Sequence, residues 1–334
     1  MKSWKIEGPH ELKFVETKSK RAAGQIRVKI STCALSETDI AFYKGTNNIR
    51  NIVPSHSAVG YVSEADEDSG FKMGMRVVLS PYIDSAVENE EKAQRKIKIM
   101  GLDTDGFLCD FVNMPVGNVY SLPEGIKDSE AVFIDYIALA NQVLENFDFE
   151  KGDFLLVIGA STFGLVISQL ALYYQLVPIL VDGYDDRLKL AEELGVYYTI
   201  NNRKENLDSV ICEITGGRMA DYTVFEPREL PFSIAYNYTR EGGVIVISGY
   251  NNHVLSFDAN IDTVFSKQLT IKGVNNGIDE ISSAINFLAN NVVVTDNLVA
   301  EVFDFDDSQK AFEFCSQKQE RRSGKVITTY KKFQ

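Results

Sequence analysis

Apolar and polar residues follow two different patterns along this chain. Up to about residue 140, short β-branched runs are separated by clusters of Gly, Asn, Asp and Ser, which is typical of strands joined by turns. The predicted strands include Ile26–Ile30, Ala58–Glu64 and Arg76–Leu79. From about Ser129 the apolar residues recur every three or four positions, which predicts a helix over Glu130–Phe147. The first part of the chain is therefore predicted to be mostly β.

Beyond residue 153 the pattern alternates between strand and helix. The predicted strands are Phe154–Ile158, Val177–Val181, Tyr222–Phe225, Gly243–Ser248 and Gln268–Val274, and the predicted helices include Gly164–Tyr174 and Asp185–Leu194, the latter closed by Gly195. Such alternation specifies an α/β fold with a doubly wound parallel sheet. The last stretch, Thr295–Gln334, is mixed, and we expect it to fold back on the first part.

Length and composition narrow the class of protein. The chain has 334 residues, enough for about two domains, and 45% hydrophobic and 24% charged residues, as in ordinary globular proteins. Its net charge of −13 repels phosphate backbones, so no nucleic-acid partner is expected. The uncharged run between Asp153 and Asp182 is interrupted by Gly, Gln and Pro, which favours buried strands and a buried helix over a membrane span. Four widely spaced cysteines predict reduced, buried thiols in a cytoplasmic protein.

A turn that fits a dinucleotide follows the strand Phe154–Ile158. Its sequence is Gly159-Ala160-Ser161-Thr162-Phe163-Gly164, where the expected pattern is GxGxxG. Gly159 permits the tight turn, Gly164 lets the helix pack closely on the strand, and Ser161 replaces the middle glycine. The start of the helix, at Thr162 and Phe163, presents N–H groups to a pyrophosphate. The alternative interpretation is a doubly wound sheet of the same kind whose crevice binds no cofactor.

An acidic residue at the end of the next strand strengthens this prediction. Asp182 lies 18 residues past Gly164, where a carboxylate accepts hydrogen bonds from the adenosine ribose. Because no Arg or Lys stands at Gly183 or Tyr184, NAD is predicted in preference to NADP. Gly249, which directly follows the strand Gly243–Ser248, is also predicted to contact the cofactor.

Several further motifs support a family resemblance. Ser36–Gly45 resembles the pattern C-G-T-D-x-H-x-Y-x-G, Ser55–Val62 resembles G-H-E-x-x-G-x-V, and Lys72–Val77 resembles K-x-G-D-R-V. Asp105-Gly106-Phe107 and Leu122-Pro123 match later turns. Over essentially its whole length the chain resembles the medium-chain dehydrogenase/reductase superfamily, and within it the zinc-type alcohol and polyol dehydrogenases.

The resemblance implies two domains with the active site in the cleft between them. A GroES-like β-barrel catalytic domain would comprise residues 1–142 and 292–334, and a Rossmann NAD-binding domain would comprise residues 143–291. Related dehydrogenases pair the edge strands of their Rossmann sheets, so a homodimer or homotetramer is expected, with Leu269–Val274 as a plausible edge strand.

The zinc ligands that the resemblance implies are largely absent. The family holds catalytic zinc with a Cys, a His and usually a Glu or Cys, whereas this chain has Ser36 at the Cys position, His56, Ser57 beside it, and Asp135 at the remaining position. Protonated hydroxyls are poor ligands, and a catalytic zinc needs three protein ligands. The stretch Ser85–Met100, which matches the structural-zinc lobe, contains no cysteine. Zinc is therefore not expected.

Other groups must then handle the proton. The resemblance implies Thr38 as the proton-relay hydroxyl and Asp39 as the acid that orients His56, and His56 has a suitable pKa for a general acid or base. Tyr43 offers another hydroxyl. Each has an alternative: Thr38 as the N-cap of a helix that begins at Asp39, His56 as a buried remnant of a zinc site, and Tyr43 as a packing or cleft-lining residue.

These observations predict an NAD-dependent oxidoreductase that transfers a hydride between nicotinamide and a hydroxyl or carbonyl of a small, polyol-like or sugar-like substrate, without zinc. One alternative is a zinc-free reductase of quinones or enones, whose substrates are already electrophilic. A second is a non-catalytic dinucleotide-binding protein, and a third is a metal enzyme built on His56 and Asp135. The T-D-x-x-x-Y-x-G segment and His56 favour the alcohol branch.

Overall fold

A computed structural model describes residues 1–46, 51–84, 96–227, 230–249, 258–318 and 325–330. His253 and residues 85–95 of the cysteine-free stretch Ser85–Met100 lie outside these ranges, so the structural-zinc prediction stays a prediction.

The first part of the chain is mostly β, as predicted. Its elements are β1 (Lys2–Gly8), β2 (Glu11–Glu16), β3 (Gln25–Leu35), α1 (Glu37–Lys44), β4 (Ser57–Glu64), β5 (Arg76–Leu79), β6 (Tyr82–Asp84), β7 (Ile97–Ile99), β8 (Phe111–Pro115), β9 (Val119–Ser121), α2 (Asp128–Ala131) and α3 (Ile134–Leu144). The single helix predicted over Glu130–Phe147 is wrong, because a turn at Val132 and Phe133, where the Phe133 N–H bonds the Glu130 carbonyl, separates α2 from α3.

Strands and helices alternate through the middle of the chain, as predicted. The elements are β10 (Phe154–Ile158), α4 (Thr162–Tyr173), β11 (Val177–Asp182), α5 (Asp185–Glu193), β12 (Tyr198–Asn201), α6 (Leu207–Thr215), β13 (Ala220–Phe225), α7 (Ser233–Tyr238), β14 (Thr239–Ser248), α8 (Ile261–Ser266), β15 (Thr270–Val274) and α9 (Ile281–Ala289). The last described elements are β16 (Val299–Asp304), α10 (Ser308–Lys318) and β17 (Lys325–Thr329).

The middle elements form a doubly wound parallel sheet. Among the described residues its strand order is β12-β11-β10-β13-β14-β15, and each neighbouring pair is parallel. β10 lies in the centre, so the turn that follows it opens at the point where the strand order reverses, which is where such sheets bind ligands. β15 is the edge strand on one side.

The end of the chain folds back on the first part, as predicted. In the described residues the first sheet has the order β16-β17-β3-β4-β5-β9, with β8 paired to β3. β17 is antiparallel to β3, with Val326 opposite Leu35. This pairing carries Lys325, the first residue of β17, to the segment where β3 leads into α1. The fold class, a GroES-like domain with a Rossmann domain, is confirmed.

The cysteines are free thiols, but the prediction that all four are buried is wrong for one. Cys33, Cys109 and Cys315 are buried, whereas Cys212 is exposed. Cys212 lies on α6, where the adjacent residue Ile211 is buried instead. No helix in the described ranges is long and apolar enough to cross a bilayer.

Candidate active site

The turn after β10 has the geometry that its glycines predicted. Gly159 has φ +106°, a left-handed conformation that favours glycine. A Cβ on Gly164 would lie 2.0 Å from the carbonyl oxygen of Gly159, so a larger residue at 164 would push the helix off the strand. Ser161 is the N-cap of α4: its Oγ accepts a hydrogen bond from the Gly164 N–H (3.1 Å) and donates one to Glu226 Oε2 (2.5 Å). Thr162 and Phe163 form the first turn of α4, as predicted.

Asp182 ties this turn to the end of β11. Its carboxylate accepts hydrogen bonds from the N–H groups of Ala160 (2.8 Å) and Tyr184 (2.9 Å). The sequence had no basic residue directly after Asp182, but α5 brings Arg187 Nη1 to 3.4 Å from Asp182 Oδ2. The Arg203 guanidinium also lies over the Tyr184 ring, 4.3 Å from its centroid. The prediction examined only adjacent residues and therefore missed both arginines.

Gly249 lies at the neighbouring strand end. A Cβ there would come within 2.8 Å of Glu226 Cγ, so Gly249 leaves room for the carboxylate that accepts from Ser161. Gly249 thus packs against the cofactor turn through Glu226, the acidic residue that follows β13.

The N-terminus of α1 is organised by Asp39. Its Oδ2 accepts from the backbone N–H and the hydroxyl of Ser36 (both 2.7 Å), and its Oδ1 accepts from the N–H of Ser55 (2.7 Å). Asp39 is fully buried and fixes the backbone next to His56. The alternative that Thr38 caps a helix beginning at Asp39 is wrong: α1 begins at Glu37, and Ser36 is its N-cap because its Oγ accepts from the Asp39 N–H. Thr38 is buried in the first turn.

His56 is completely buried and lies beside Asp135, with 3.3 Å between Nε2 and Asp135 Oδ2. Burial lowers the pKa of His56 from its usual value, and the carboxylate of Asp135 partly counters that effect. The imidazole is therefore neutral at pH 7 and can accept a proton. The sequence expected Asp39 to orient this histidine, whereas the structure brings Asp135 to its Nε2.

Tyr136 connects His56 to the cofactor turn. Its ring stands edge-on to the imidazole, with 6.3 Å between the centroids, and its other side meets Phe163 of α4 at the same centroid distance. The His56–Asp135 pair of the first domain therefore lies next to the helix start that is predicted to hold the pyrophosphate.

Lys325 completes the arrangement, and it was not among the residues predicted from the sequence. Its side chain is 2% exposed, and its Nζ donates to Ser57 Oγ (2.7 Å), Asp135 Oδ1 (2.8 Å) and the Val132 carbonyl (2.8 Å). Burial lowers the pKa of Lys325, and Asp135 counters this. A lysine among the apolar residues of a buried strand was the available signal. Its partners lie at least 190 residues away along the chain, so spacing could not reveal them.

Tyr43 is separate from this group. Its ring packs against Phe312 (5.1 Å between centroids) and edge-on to His10 (5.2 Å), and its hydroxyl accepts a hydrogen bond from Gln309. These contacts correspond to the packing alternative for Tyr43, between α1 and α10.

Four residues at the predicted zinc positions differ in their surroundings. Ser57 and Asp135 accept hydrogen bonds from Lys325 Nζ, and His56 lies beside Asp135. The Ser36 hydroxyl instead donates a hydrogen bond to Asp39. Within the described ranges no group of three or more His, Cys, Asp and Glu side chains is placed to hold a metal ion.

A cavity of about 1200 Å³ lies elsewhere, against the first sheet. Lys29, Tyr61 and Arg76 are among the residues that line it. None of its lining residues belongs to the cofactor turn or to the His56 group, which consists of Ser36, Asp39, His56, Ser57, Asp135 and Lys325. It offers no group for hydride or proton transfer next to the dinucleotide turn.

The two halves of this architecture each match a known family model. Residues 22–124 match the alcohol dehydrogenase GroES-like domain, and residues 163–290 match the zinc-binding dehydrogenase family.

Relatives match over nearly the full length. An uncharacterized zinc-type alcohol dehydrogenase-like protein of Haemophilus influenzae is 25% identical over 86% of each chain, and an L-threonine 3-dehydrogenase of Alteromonas mediterranea is 27% identical over 90% of each. The crystal structure of a short chain alcohol dehydrogenase, RspB, from Escherichia coli CFT073 in complex with NADH superposes with a TM-score of 0.87 at 24% identity, covering 98% of this chain and 99% of that one.

The chain therefore belongs to the medium-chain dehydrogenase/reductase superfamily, which confirms the predicted resemblance. Its named relatives and structural neighbours include alcohol and L-threonine dehydrogenases.

Proposed function

We propose that this protein interconverts a hydroxyl and a carbonyl on a small polyol-like or sugar-like molecule, with NAD(H) as the hydride carrier and without catalytic zinc. The observation that carries the proposal is the line of contacts from the buried His56–Asp135 pair through Tyr136 to Phe163, at the start of α4. It brings a group that can accept a proton next to the dinucleotide turn. Relatives named as alcohol and L-threonine dehydrogenases favour a hydroxyl substrate.

The residues of the turn fit a dinucleotide. Gly159 and Gly164 give the tight turn and the close helix, and α4 directs its first N–H groups towards the place of a pyrophosphate. We assign NAD(H) rather than NADP(H) because Asp182 is buried at the end of β11, where its carboxylate would repel a 2′-phosphate. Arg187 faces that same carboxylate, so the charge of its guanidinium is already balanced. The bound NADH of the RspB structure is consistent with this assignment.

The residues at the zinc positions do not fit a catalytic zinc. Zinc prefers thiolate, imidazole and carboxylate ligands, and three of these must converge on one point. Here Ser36 donates its proton to Asp39, Ser57 accepts from Lys325, and one oxygen of Asp135 is bound by the same ammonium. A divalent cation at Asp135 would have to displace a buried lysine of like charge.

When bound, the nicotinamide supplies the acceptor for the hydride that leaves the hydroxyl-bearing carbon. The hydroxyl proton must then pass to the protein, and the neutral imidazole of His56 is the group we assign to hold it. Asp135 stabilises the protonated imidazole, since its Oδ2 lies 3.3 Å from Nε2. Thr38, buried in the first turn of α1, is assigned as the hydroxyl that passes the proton.

The test combines metal analysis with a substrate screen on the purified full-length chain. Polyols, simple alcohols, aldehydes and enones are offered with NAD(H) and NADP(H), before and after chelation. We expect turnover with polyols or sugar alcohols, faster with NAD(H), and unaffected by chelator. Turnover confined to enones would support a double-bond reductase instead, and absence of turnover on all classes a binding protein. Stoichiometric zinc whose removal abolishes activity would overturn the zinc-free assignment.

We also propose self-association through the Rossmann sheets. Among the described strands β15 lies at one edge of the sheet, four of its five residues are exposed, and Ile271 on it is 39% exposed. An unpaired edge strand can pair with a second copy of itself, and a symmetric dimer then closes the edge. Sedimentation at micromolar concentration should give a dimer or a tetramer, and a lone monomer would contradict this proposal.

A further inference from the structure

The ammonium of Lys325 is held by three acceptors that converge from different parts of the chain. Ser57 Oγ lies 2.7 Å away, and Asp135 Oδ1 and the Val132 carbonyl each lie 2.8 Å away. The three N–H donors of an ammonium are thereby satisfied. The Val132 carbonyl is available because it lies at the break between α2 and α3. The position of Nζ is fixed by this set of bonds.

The surroundings are those of a charged group that is stabilised in the interior. Taking an ammonium out of water is expensive unless it is paired and hydrogen-bonded. Here Asp135 supplies the opposite charge, and the rings of Tyr136 and Phe133 lie 4.2 Å and 5.3 Å from Nζ, which adds cation–π attraction. Both rings and both acceptors of the segment 132–136 face the same lysine.

The ion pair continues to the histidine. Asp135 uses Oδ1 for Lys325 and presents Oδ2 to His56 Nε2 at 3.3 Å. The carboxylate thus has one oxygen anchored by a fixed cation and the other directed at the imidazole. Lys325, Asp135 and His56 form a buried line in which one positive charge, that of the ammonium, faces one carboxylate.

This arrangement disagrees with a metal centre at the same place. His56, Ser57 and Asp135 stand at the positions where the family resemblance implies metal ligands, and the cation that contacts two of them is the side chain of Lys325. We propose that Lys325 is a positioning residue that takes the place of the metal: its ammonium holds the Asp135 carboxylate in one orientation and so places the second carboxylate oxygen beside His56.

The catalytic consequence rests on the proposed function, whereas the effect on His56 does not. Without the ammonium, Asp135 loses the bonds that fix its rotamer, and the buried carboxylate is left without its partner. The orientation of the His56 ring changes with it. Lys325 itself does not need to touch substrate for this effect.

The experiment compares Lys325→Met, which keeps length and removes the charge, with Lys325→Arg, which keeps the charge. Lys98→Met, on the exposed face of β7, is the matched control. We expect Lys325→Met to lower kcat by about 100-fold, within the usual range for disabling a general acid or base, with the dissociation constant of NADH changed by less than about threefold. Lys325→Arg should retain most of the turnover, and Lys98→Met all of it.

A double variant separates positioning from folding. Lys325→Met is expected to lower Tm because it strands a buried carboxylate, and adding Asp135→Asn should restore much of that loss. Turnover should stay low in the double variant, because no carboxylate then faces His56. If turnover recovers together with Tm, the role of Lys325 is merely structural and the proposal fails.

A spectroscopic measurement needs no substrate. The chain has three histidines, so ¹⁵N signals of the imidazole rings can be assigned by single substitutions. Lys325→Met should move the ring signals of His56 and leave those of His10 in place, while Lys98→Met should move neither. Unchanged His56 signals in a folded Lys325→Met protein would overturn the proposal even if the wild type had no activity. A tenfold weaker NADH affinity with unchanged kcat would also overturn it and assign Lys325 to the cofactor.

Discussion

The cofactor turn and the His56 group are two halves of one candidate site, but they are built in opposite ways. The turn consists of neighbouring residues that would bind the cofactor through their backbone. Its key positions, Gly159, Ser161 and Gly164, lie within a segment of six residues. The His56 group consists of side chains from α1, the start of β4, α3 and β17, and its ion pair joins residues 190 positions apart. Local backbone chemistry leaves a motif in the sequence, whereas a constellation of distant side chains does not.

The difference also appears in how each half tolerates departures from the family pattern. In the turn, Ser161 replaces a glycine and the geometry persists, because its hydroxyl caps α4 and binds Glu226. In the His56 group, serines at two ligand positions coincide with new roles for both: Ser36 caps α1 and Ser57 accepts from Lys325. The cofactor turn therefore keeps the geometry that fits a dinucleotide. In the His56 group the two serines instead form hydrogen bonds within the protein.

Removing the imidazole should give the largest effect and separate the two halves. We expect His56→Ala to lower turnover by about 10²–10⁴-fold, the usual effect of losing a general acid or base. NADH affinity should change little, because the cofactor turn lies on the other domain. Steady-state kinetics and fluorescence titration measure both quantities. His10→Ala, at an exposed position, is the control, and a parallel loss of NADH affinity in His56→Ala would show that the halves are not separable.

A methyl group at Gly164 should disturb the cofactor turn and leave the His56 group in place. The added Cβ would lie 2.0 Å from the carbonyl oxygen of Gly159, and overpacking of this kind costs about 1–3 kcal/mol. We expect Gly164→Ala to weaken NADH binding and lower Tm, because the Gly159 carbonyl that must move away belongs to the turn itself. Gly117→Ala, where a Cβ meets open space, should change neither. Wild-type NADH affinity in Gly164→Ala would contradict the assignment of this turn to the cofactor.

Cofactor preference tests the turn more finely. Asp182→Ser should weaken NADH binding by about tenfold, or about 1.4 kcal/mol, and improve NADPH binding. The carboxylate that repels a 2′-phosphate is then gone, and Arg187 no longer faces it. Titration of both cofactors measures the ratio, with Asp186→Ser on the exposed face of α5 as control. Tighter NADPH than NADH binding by the wild-type protein would refute the assignment.

The smallest expected effect is a pH dependence of stability that arises in the His56 group. The pKa of folded His56 is below its unfolded value of about 6.5, so the unfolded chain binds the additional proton. Stability should be constant above about pH 6.5 in this respect and fall as the pH drops below it. Thermal unfolding between pH 5.5 and 7.5 should show a steeper decline for the wild type than for His56→Gln. Equal slopes would mean that His56 is not buried in its neutral form.

Periodicity and local motifs determined much of this protein from the sequence. The parallel sheet, the glycine turn, Asp182 at the end of β11 and the return of the C-terminal segment to the first domain all follow from signals carried by neighbouring residues. The same locality explains the errors. The sequence continued a helical period through Val132 and Phe133, where the structure interrupts the helix. The alternative that Thr38 caps a helix starting at Asp39 failed because the hydroxyl that accepts the Asp39 N–H is that of Ser36.

Only the tertiary structure decided what surrounds His56. Pairing of β17 with β3 brings Lys325 to Ser57 and Asp135, and the break before α3 supplies the Val132 carbonyl. It likewise brought Asp135 Oδ2 to 3.3 Å from His56 Nε2 and Arg187 Nη1 to 3.4 Å from Asp182 Oδ2. Such contacts depend on which strands pair and where the chain reverses. Hydrogen bonds and charges act over a few ångströms in space, and a linear sequence does not record which distant residues come that close.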